Sequence, residues 1–188
     1  MPVWGIILIV AIALVLVVAV WYWGVYNTLV RLKNNNEEAF STMDVYMKKR
    51  YDLVPNLVET VKGYAKHEKE TLNQVILARN NAQNAQGANE KIKAEQQMNS
   101  AIRNIFALAE SYPELKANAN FVDLQKQLQQ IESEIANSRK YYNACVKTYN
   151  TQIQTFPSSF VAKRHNFEKA SLFELDSAEE RKNVKVQF

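Results

Sequence analysis

FVDLQKQLQQIESEIANSRKYYNACVKTYNTQIQTF, residues 121 to 156, is the stretch that decides the fold. Phe121, Leu128, Ile135, Tyr142, Tyr149 and Phe156 recur every seven residues, and Leu124, Ile131, Ser138 and Cys145 fall at the intermediate positions. Apolar residues at this period line one seam of a helix, and the seam needs a packed helical partner to leave water. At 1.5 Å per residue the helix would be roughly 50 Å long. Proline has no N–H and restrains the residue before it, so the helix is expected to stop at Phe156–Pro157.

Working back from that helix, the pattern predicts a third helix from Glu90 to about Tyr112, carrying Ile92, Met98, Ile102, Ile105 and Phe106. Leu115–Asn120 reads as an irregular corner, and Asn84–Asn89, containing Gly87, reads as a turn. A second helix is expected from Pro55 to about Asn84, with Val58, Val61, Ala65, Leu72, Val75 and Ala82 on one face. Pro55 predicts a bend near Val54, because proline suits a first helical turn and its predecessor avoids the α region. Before it, Leu29, Leu32, Ala39, Phe40, Met43 and Met47 keep a helical spacing. Long amphipathic helices joined by short turns imply an antiparallel bundle of three or four helices.

At the N-terminal end, residues 3 to 23 read VWGIILIVAIALVLVVAVWYW, without a charge, an amide side chain or a proline. About 20 apolar residues cross roughly 30 Å of hydrocarbon, so this run has the length of a membrane span. The run opens at Val3, and Trp4 at one end and Trp21, Tyr22, Trp23 and Tyr26 at the other fit interfacial aromatic belts. A cleaved signal peptide would need a basic start, a shorter core and small residues where these aromatics stand. Arg31 and Lys33 follow the run and nothing basic precedes it, which predicts a short N-terminus outside and the C-terminal domain in the cytoplasm. The chain is thus expected to be all-α, an N-terminal transmembrane helix continuing into an elongated antiparallel three- or four-helix bundle. The expected divisions are an anchor at 1–26, a helical bundle at 27–157 and an extended C-terminal segment at 158–188. In that last segment Phe160, Phe167, Leu172, Phe173 and Leu175 read as anchors along the bundle. Val184, Val186 and Phe188 alternate with polar residues like an edge strand able to pair with a second copy, although a tail disordered or docked on its own bundle is the plainer reading.

The remaining chemistry is sparse. A net charge of +4 comes from basic residues scattered among acids, which fits an anionic lipid surface better than nucleic acid. The single cysteine, Cys145, excludes an internal disulfide and lies on the inner seam with no histidine placed to activate it. His67 and His165 lie in different segments without a second ligand at helical spacing, so no metal site, cofactor site or catalytic residue is expected and the chain does not read as an enzyme. Lys48, Lys49 and Arg50 with Asp52 read as cations answering the negative end of a helix, with lipid headgroups or an acidic partner as the other reading. Arg139 with Tyr141, Tyr142 and Tyr149 reads as a polar–aromatic layer that fixes helix register.

RYDLVPNLVETVKGYAKHE at Arg50–Glu68 closely resembles the LemA family of bacterial membrane proteins. Further blocks agree: Tyr26-Asn27 with Leu29-Val30, ESYPELKAN at Glu110–Asn118, LQKQLQQIE at Leu124–Glu132, RKYYN at Arg139–Asn143, Tyr149-Asn150 and Phe156-Pro157. Asn84–Lys93 departs from the pattern. The resemblance implies a single-pass anchor in the bacterial inner membrane, an elongated helical domain and no accepted catalytic residues. It also implies a role near membrane proteases or other envelope proteins. The expected function is therefore a membrane-anchored scaffold that assembles with copies of itself, or an adaptor of an envelope protease or transporter. Arg50, Tyr51, Asp52, Pro55 and Asn56 at the bend, and Tyr142 and Asn143 in the seam, are the residues expected to carry it, chiefly through structure.

Overall fold

A computed structural model describes residues 2–173. Leu175 and the strand-like tail with Val184, Val186 and Phe188 lie outside the described residues. The order is α1 (Val3–Tyr64), α2 (Lys69–Asn84), α3 (Gly87–Ala109), α4 (Pro113–Lys116), α5 (Ala119–Gln154) and α6 (Ser158–Arg164), with no strand among the described residues. Helix α1 contains an 18-residue window of mean hydropathy 3.3 of which nothing is buried inside the protein. That window is long and apolar enough to cross a membrane.

The expected start of a new helix at Pro55 is absent: α1 continues through the proline without a break. An interior proline deprives the carbonyl four residues earlier of its N–H and costs about 3 kcal/mol or more. Here that carbonyl belongs to Tyr51, and Arg79 of α2 donates its Nε–H to it at 2.8 Å. A side chain from the neighbouring helix thus replaces the missing backbone donor. The chain turns instead at residues 65–68, where the Glu68 N–H reaches the Ala65 carbonyl at 3.1 Å. The next connection is also shorter than expected, only residues 85–86. Gly87 supplies the positive φ of 76° that starts α3 so abruptly.

Two compact units make up the chain, one holding residues up to Ser41 with Lys140–Leu172, the other Thr42–Arg139 and Phe173. The second unit is a four-helix bundle whose core includes Met43, Met47, Val54, Leu57 and Val61 of α1, Val75 of α2, Met98 and Ile105 of α3, and Phe121 and Leu128 of α5. Within it, Tyr64 meets Asn118 and Arg50 meets Glu132. Two heptads back along α1 correspond to two heptads forward along α5, so these helices run antiparallel in heptad register. Asn118 also caps α5, its Oδ1 accepting the Phe121 N–H at 3.0 Å.

The first unit is built on Leu29 of α1, Tyr149 and Ile153 of α5, and Val161 and Ala162 of α6. The Phe40 and Tyr142 rings lie 5.6 Å apart. The inner seam of α5 differs from a strict heptad: Cys145 is only half-buried, while Val146 is fully buried. An α-helix has 3.6 residues per turn, so its inward face drifts about 20° per heptad. The second seam position accordingly moves from three residues after the first (Leu124 after Phe121) to four (Val146 after Tyr142, Ile153 after Tyr149). Phe156 lies beyond the helix end and is 85% exposed. It leaves the seam altogether.

Beyond a cis Phe156–Pro157 bond, α6 turns the chain back along α5. The return segment is fastened by polar groups together with two of the expected apolar anchors, Phe167 and Phe173. Tyr149 donates to the Glu168 carbonyl at 2.9 Å, and Tyr142 to the Ser171 carbonyl at 2.8 Å. The Asn150 amide donates to the Ala170 carbonyl and accepts the Ala170 N–H, at 2.8 and 2.9 Å. Phe167 is half-buried and Phe173 buried, whereas Phe160 and Leu172 are exposed.

Arg79→Ala is expected to destabilise the protein by about 1–3 kcal/mol, the cost of a buried acceptor left unpaired. The same substitution in a Pro55→Ala background should cost markedly less, because residue 55 then supplies the N–H itself. Denaturant melts of the four proteins measure this coupling, and equal costs in both backgrounds would refute it.

Candidate functional site: a buried arginine and carboxylate cluster

Among the described residues, the densest convergence of charge lies in the four-helix unit. Arg50 occupies the inward stripe of α1, Met47–Arg50–Val54, and Glu95 occupies the inward stripe of α3, Ile92–Glu95–Met98. Helical spacing therefore drives both charges into the core along with their apolar neighbours. Arg50 is 1% and Glu95 also 1% exposed. Charges so far from water require partners.

They have each other. The Arg50 guanidinium pairs with Glu95 Oε2, and Tyr51 donates its hydroxyl to Glu95 Oε1. The other arginine arm reaches Glu132 of α5 at 2.6 Å and the Asn99 side-chain carbonyl of α3 at 2.5 Å. One arginine thereby ties α1 to α3 and α5. Burial pulls its pKa below the ordinary arginine value, and the Glu132 carboxylate works against that pull. Burial pushes the Tyr51 phenol up to about 12, with Arg50 opposing. A cavity of ≈ 420 Å³ opens beside the cluster, lined by Arg50, Asn99, Ile102, Phe106, Leu128 and Glu132 among others. A second ion pair, Lys91 with Asp44, joins the same two helices, α3 and α1.

The sequence-derived site residues separate on this geometry. Arg50 and Tyr51 meet in the cluster, and Tyr51 supplies the carbonyl that Pro55 leaves free and Arg79 takes up. Asp52, Pro55 and Asn56 are exposed, although the Asn56 carbonyl accepts the Thr60 hydroxyl at 2.8 Å. Tyr142 holds the return segment and Asn143 is half-buried, both in the other unit. Lys48, Lys49 and Arg50 cannot answer a helix end, because α1 does not end there. Arg50 turns inward, while Lys49 is exposed with its Nζ 5.3 Å from the Tyr46 ring. Nor do the tyrosines form one layer: Tyr141 is 60% exposed, and Tyr142 and Tyr149 spend their hydroxyls on the return segment. Glu95, Glu132, Arg79 and Asn150 were missed. Glu95 alone carried a signal, a carboxylate at an apolar position of its helix, matched by an arginine at an apolar position of another.

The model of the LemA family matches residues 39–188, four-fifths of the chain. The chain belongs to the LemA family. It is 24% identical over 159 residues to Protein LemA of Metamycoplasma hominis, an alignment covering 84% of this chain and 73% of that protein. It is also 22% identical over 175 residues to the magnetosome proteins MamQ 1 and MamQ 2 of Paramagnetospirillum magneticum, covering 79% of this chain. The chain spans just under two thirds of the length of these MamQ proteins, 64%. The matched LemA region contains the whole buried cluster.

Glu95→Gln should destabilise the protein by about 3–5 kcal/mol, since it leaves a buried guanidinium without its closest counter-charge. The paired change Arg50→Met with Glu95→Leu should restore most of that loss, as measured by thermal melting in detergent. A double variant as unstable as Glu95→Gln would show that the ion pair does more than compensate itself. Tyr51 gives a pH signature. Below pH 10 the phenol is protonated in both states; between pH 10 and about 12 the unfolded chain releases the proton and the folded chain retains it, so stability falls through that window. The stability difference between the native protein and Tyr51→Phe should therefore shrink across pH 10–12, and a constant difference would contradict this.

Proposed function

We propose that this LemA-family chain is a non-catalytic, membrane-anchored scaffold that assembles with copies of itself at the bacterial inner membrane, its helical domain on the cytoplasmic side. The observation that carries the reading is the continuity of α1. One unbroken helix, Val3–Tyr64, holds both the apolar run and much of the inner face of the helical domain. The run and that inner face are therefore parts of one helix and not of two helices joined by a turn.

The buried cluster supports the same reading from the side of chemistry. Arg50, Glu95, Tyr51 and Glu132 direct their charges and protons at one another. Groups committed to mutual pairing serve to fix helices more readily than to attack a substrate. The bias of Lys and Arg toward the C-terminal flank of the apolar run, Arg31 and Lys33, supports the cytoplasmic orientation.

The size of the full-length protein in mild detergent, by mass photometry and then electron microscopy, tests the proposal. Large uniform particles are expected, and removing Val184–Phe188 should reduce their order if the tail links copies. A monomer or dimer that copurifies with a stoichiometric envelope protease or transporter would overturn the scaffold and favour the adaptor.

A further inference from the structure

The unit that contains the apolar run also contains α6, and the two are fastened together at a defined depth. The Tyr22 hydroxyl and His165 Nε2 lie 2.7 Å apart, the His165 ring is 4.7 Å from the Tyr26 ring, and Tyr26 meets Phe167 at 6.0 Å. Tyr22 belongs to the aromatic belt that closes the apolar run. The residue after α6 is thus held at the level where α1 leaves the hydrocarbon.

Helix α6 has two faces. Ser158, Val161 and Ala162 are buried, the latter two against Leu29, Tyr149 and Ile153. The opposite face presents Phe160, 70% exposed, with Lys163 and Arg164, and Phe156 stands exposed just before it. Tyr26, whose ring meets both His165 and Phe167, is three residues beyond Trp23, about 4.5 Å along α1. A headgroup layer is about 5–8 Å deep, so the end of α6 falls within that layer. Exposed aromatics beside cations, on a short amphipathic element at this depth, match the requirements of an interfacial contact. Glu168 is the one acid in the segment 158–169, against Lys163, Arg164 and Lys169.

We propose that the corner formed by Phe156, Pro157 and α6 is a second membrane contact of this chain. Phe156 and Phe160 insert at the boundary of headgroups and acyl chains, in the leaflet from which α1 emerges. Lys163 and Arg164 pair with the phosphates of anionic phospholipids. The inference rests on α1 being a membrane anchor and not on self-assembly. A spanning helix alone is free to rotate about its axis; a second contact on one side of it removes that freedom.

Nitroxide labels in the full-length protein test this, in a Cys145→Ser background reconstituted into phosphatidylcholine vesicles containing phosphatidylglycerol. Phe160→Cys reports the corner, Val15→Cys the span and Thr148→Cys the water-exposed side of α5. Ser159→Cys repeats the corner with both phenylalanines intact. Accessibility to oxygen relative to a water-soluble nickel complex should place the corner labels between the two references, several-fold above residue 148. Adding Lys163→Glu and Arg164→Glu should return them toward the value at residue 148. Corner labels that match residue 148 overturn the proposal, and so do labels shielded from both reagents, which would mean protein covers this face. An unchanged depth in the charge-reversed variant overturns the role of lipid phosphate. If Val15→Cys itself reads as aqueous, the anchor fails and the second contact fails with it.

Discussion

A guanidinium removed from water must be answered at close range, and in this protein that requirement constrains three helices at once. Arg50 cannot keep Glu95, Glu132 and Asn99 in reach unless α1, α3 and α5 hold one axial position relative to each other. Apolar side chains alone would tolerate sliding by a turn, since one methyl surface resembles the next. Charges do not tolerate it, because a slip leaves one of them buried and alone. The apolar core of the four-helix unit supplies the driving force; the ion cluster selects the register.

The same logic of exact replacement explains how α1 passes Pro55. A proline in mid-helix creates one orphan acceptor at a known place, the carbonyl of Tyr51. The fold supplies one donor there, Arg79. Tyr51 thus joins both devices, its side chain in the ion cluster and its carbonyl in the repair of the helix. In the other unit the polar groups of α5 do comparable work. Tyr142, Tyr149 and Asn150 spend their hydrogen-bonding capacity on the backbone of a segment that has no helix or sheet of its own. Main-chain groups that would otherwise compete for water are satisfied by side chains from the helix beneath them.

These features share one principle: each buried or orphaned polar group is answered by a partner from elsewhere in the chain. The α1 hydrogen bonding is repaired at the proline, register is enforced by buried charge, and the returning chain is tied down next to the last residues of the apolar run.

Much of the architecture was legible without coordinates. The apolar run, the helical periods and the heptad seam are local patterns, and local patterns follow from repeat length and side-chain hydrophobicity. The helix spanning residues 119–154, the turn near Gly87 and the all-α class could be read in that way. Pro55 could not, because its local tendency to break a helix was offset by a donor 24 residues further along the chain. Cys145 and Val146 exchanged roles because a drift of a few degrees per residue is invisible to a strict seven-residue count. The partnership of Arg50 with Glu95, and the holding of His165 against Tyr22, join positions far apart in sequence. Sequence determined which faces are apolar and which run is long and apolar enough to cross a membrane; only tertiary structure decided which buried charge meets which, since pairing energy depends on distances that folding alone creates.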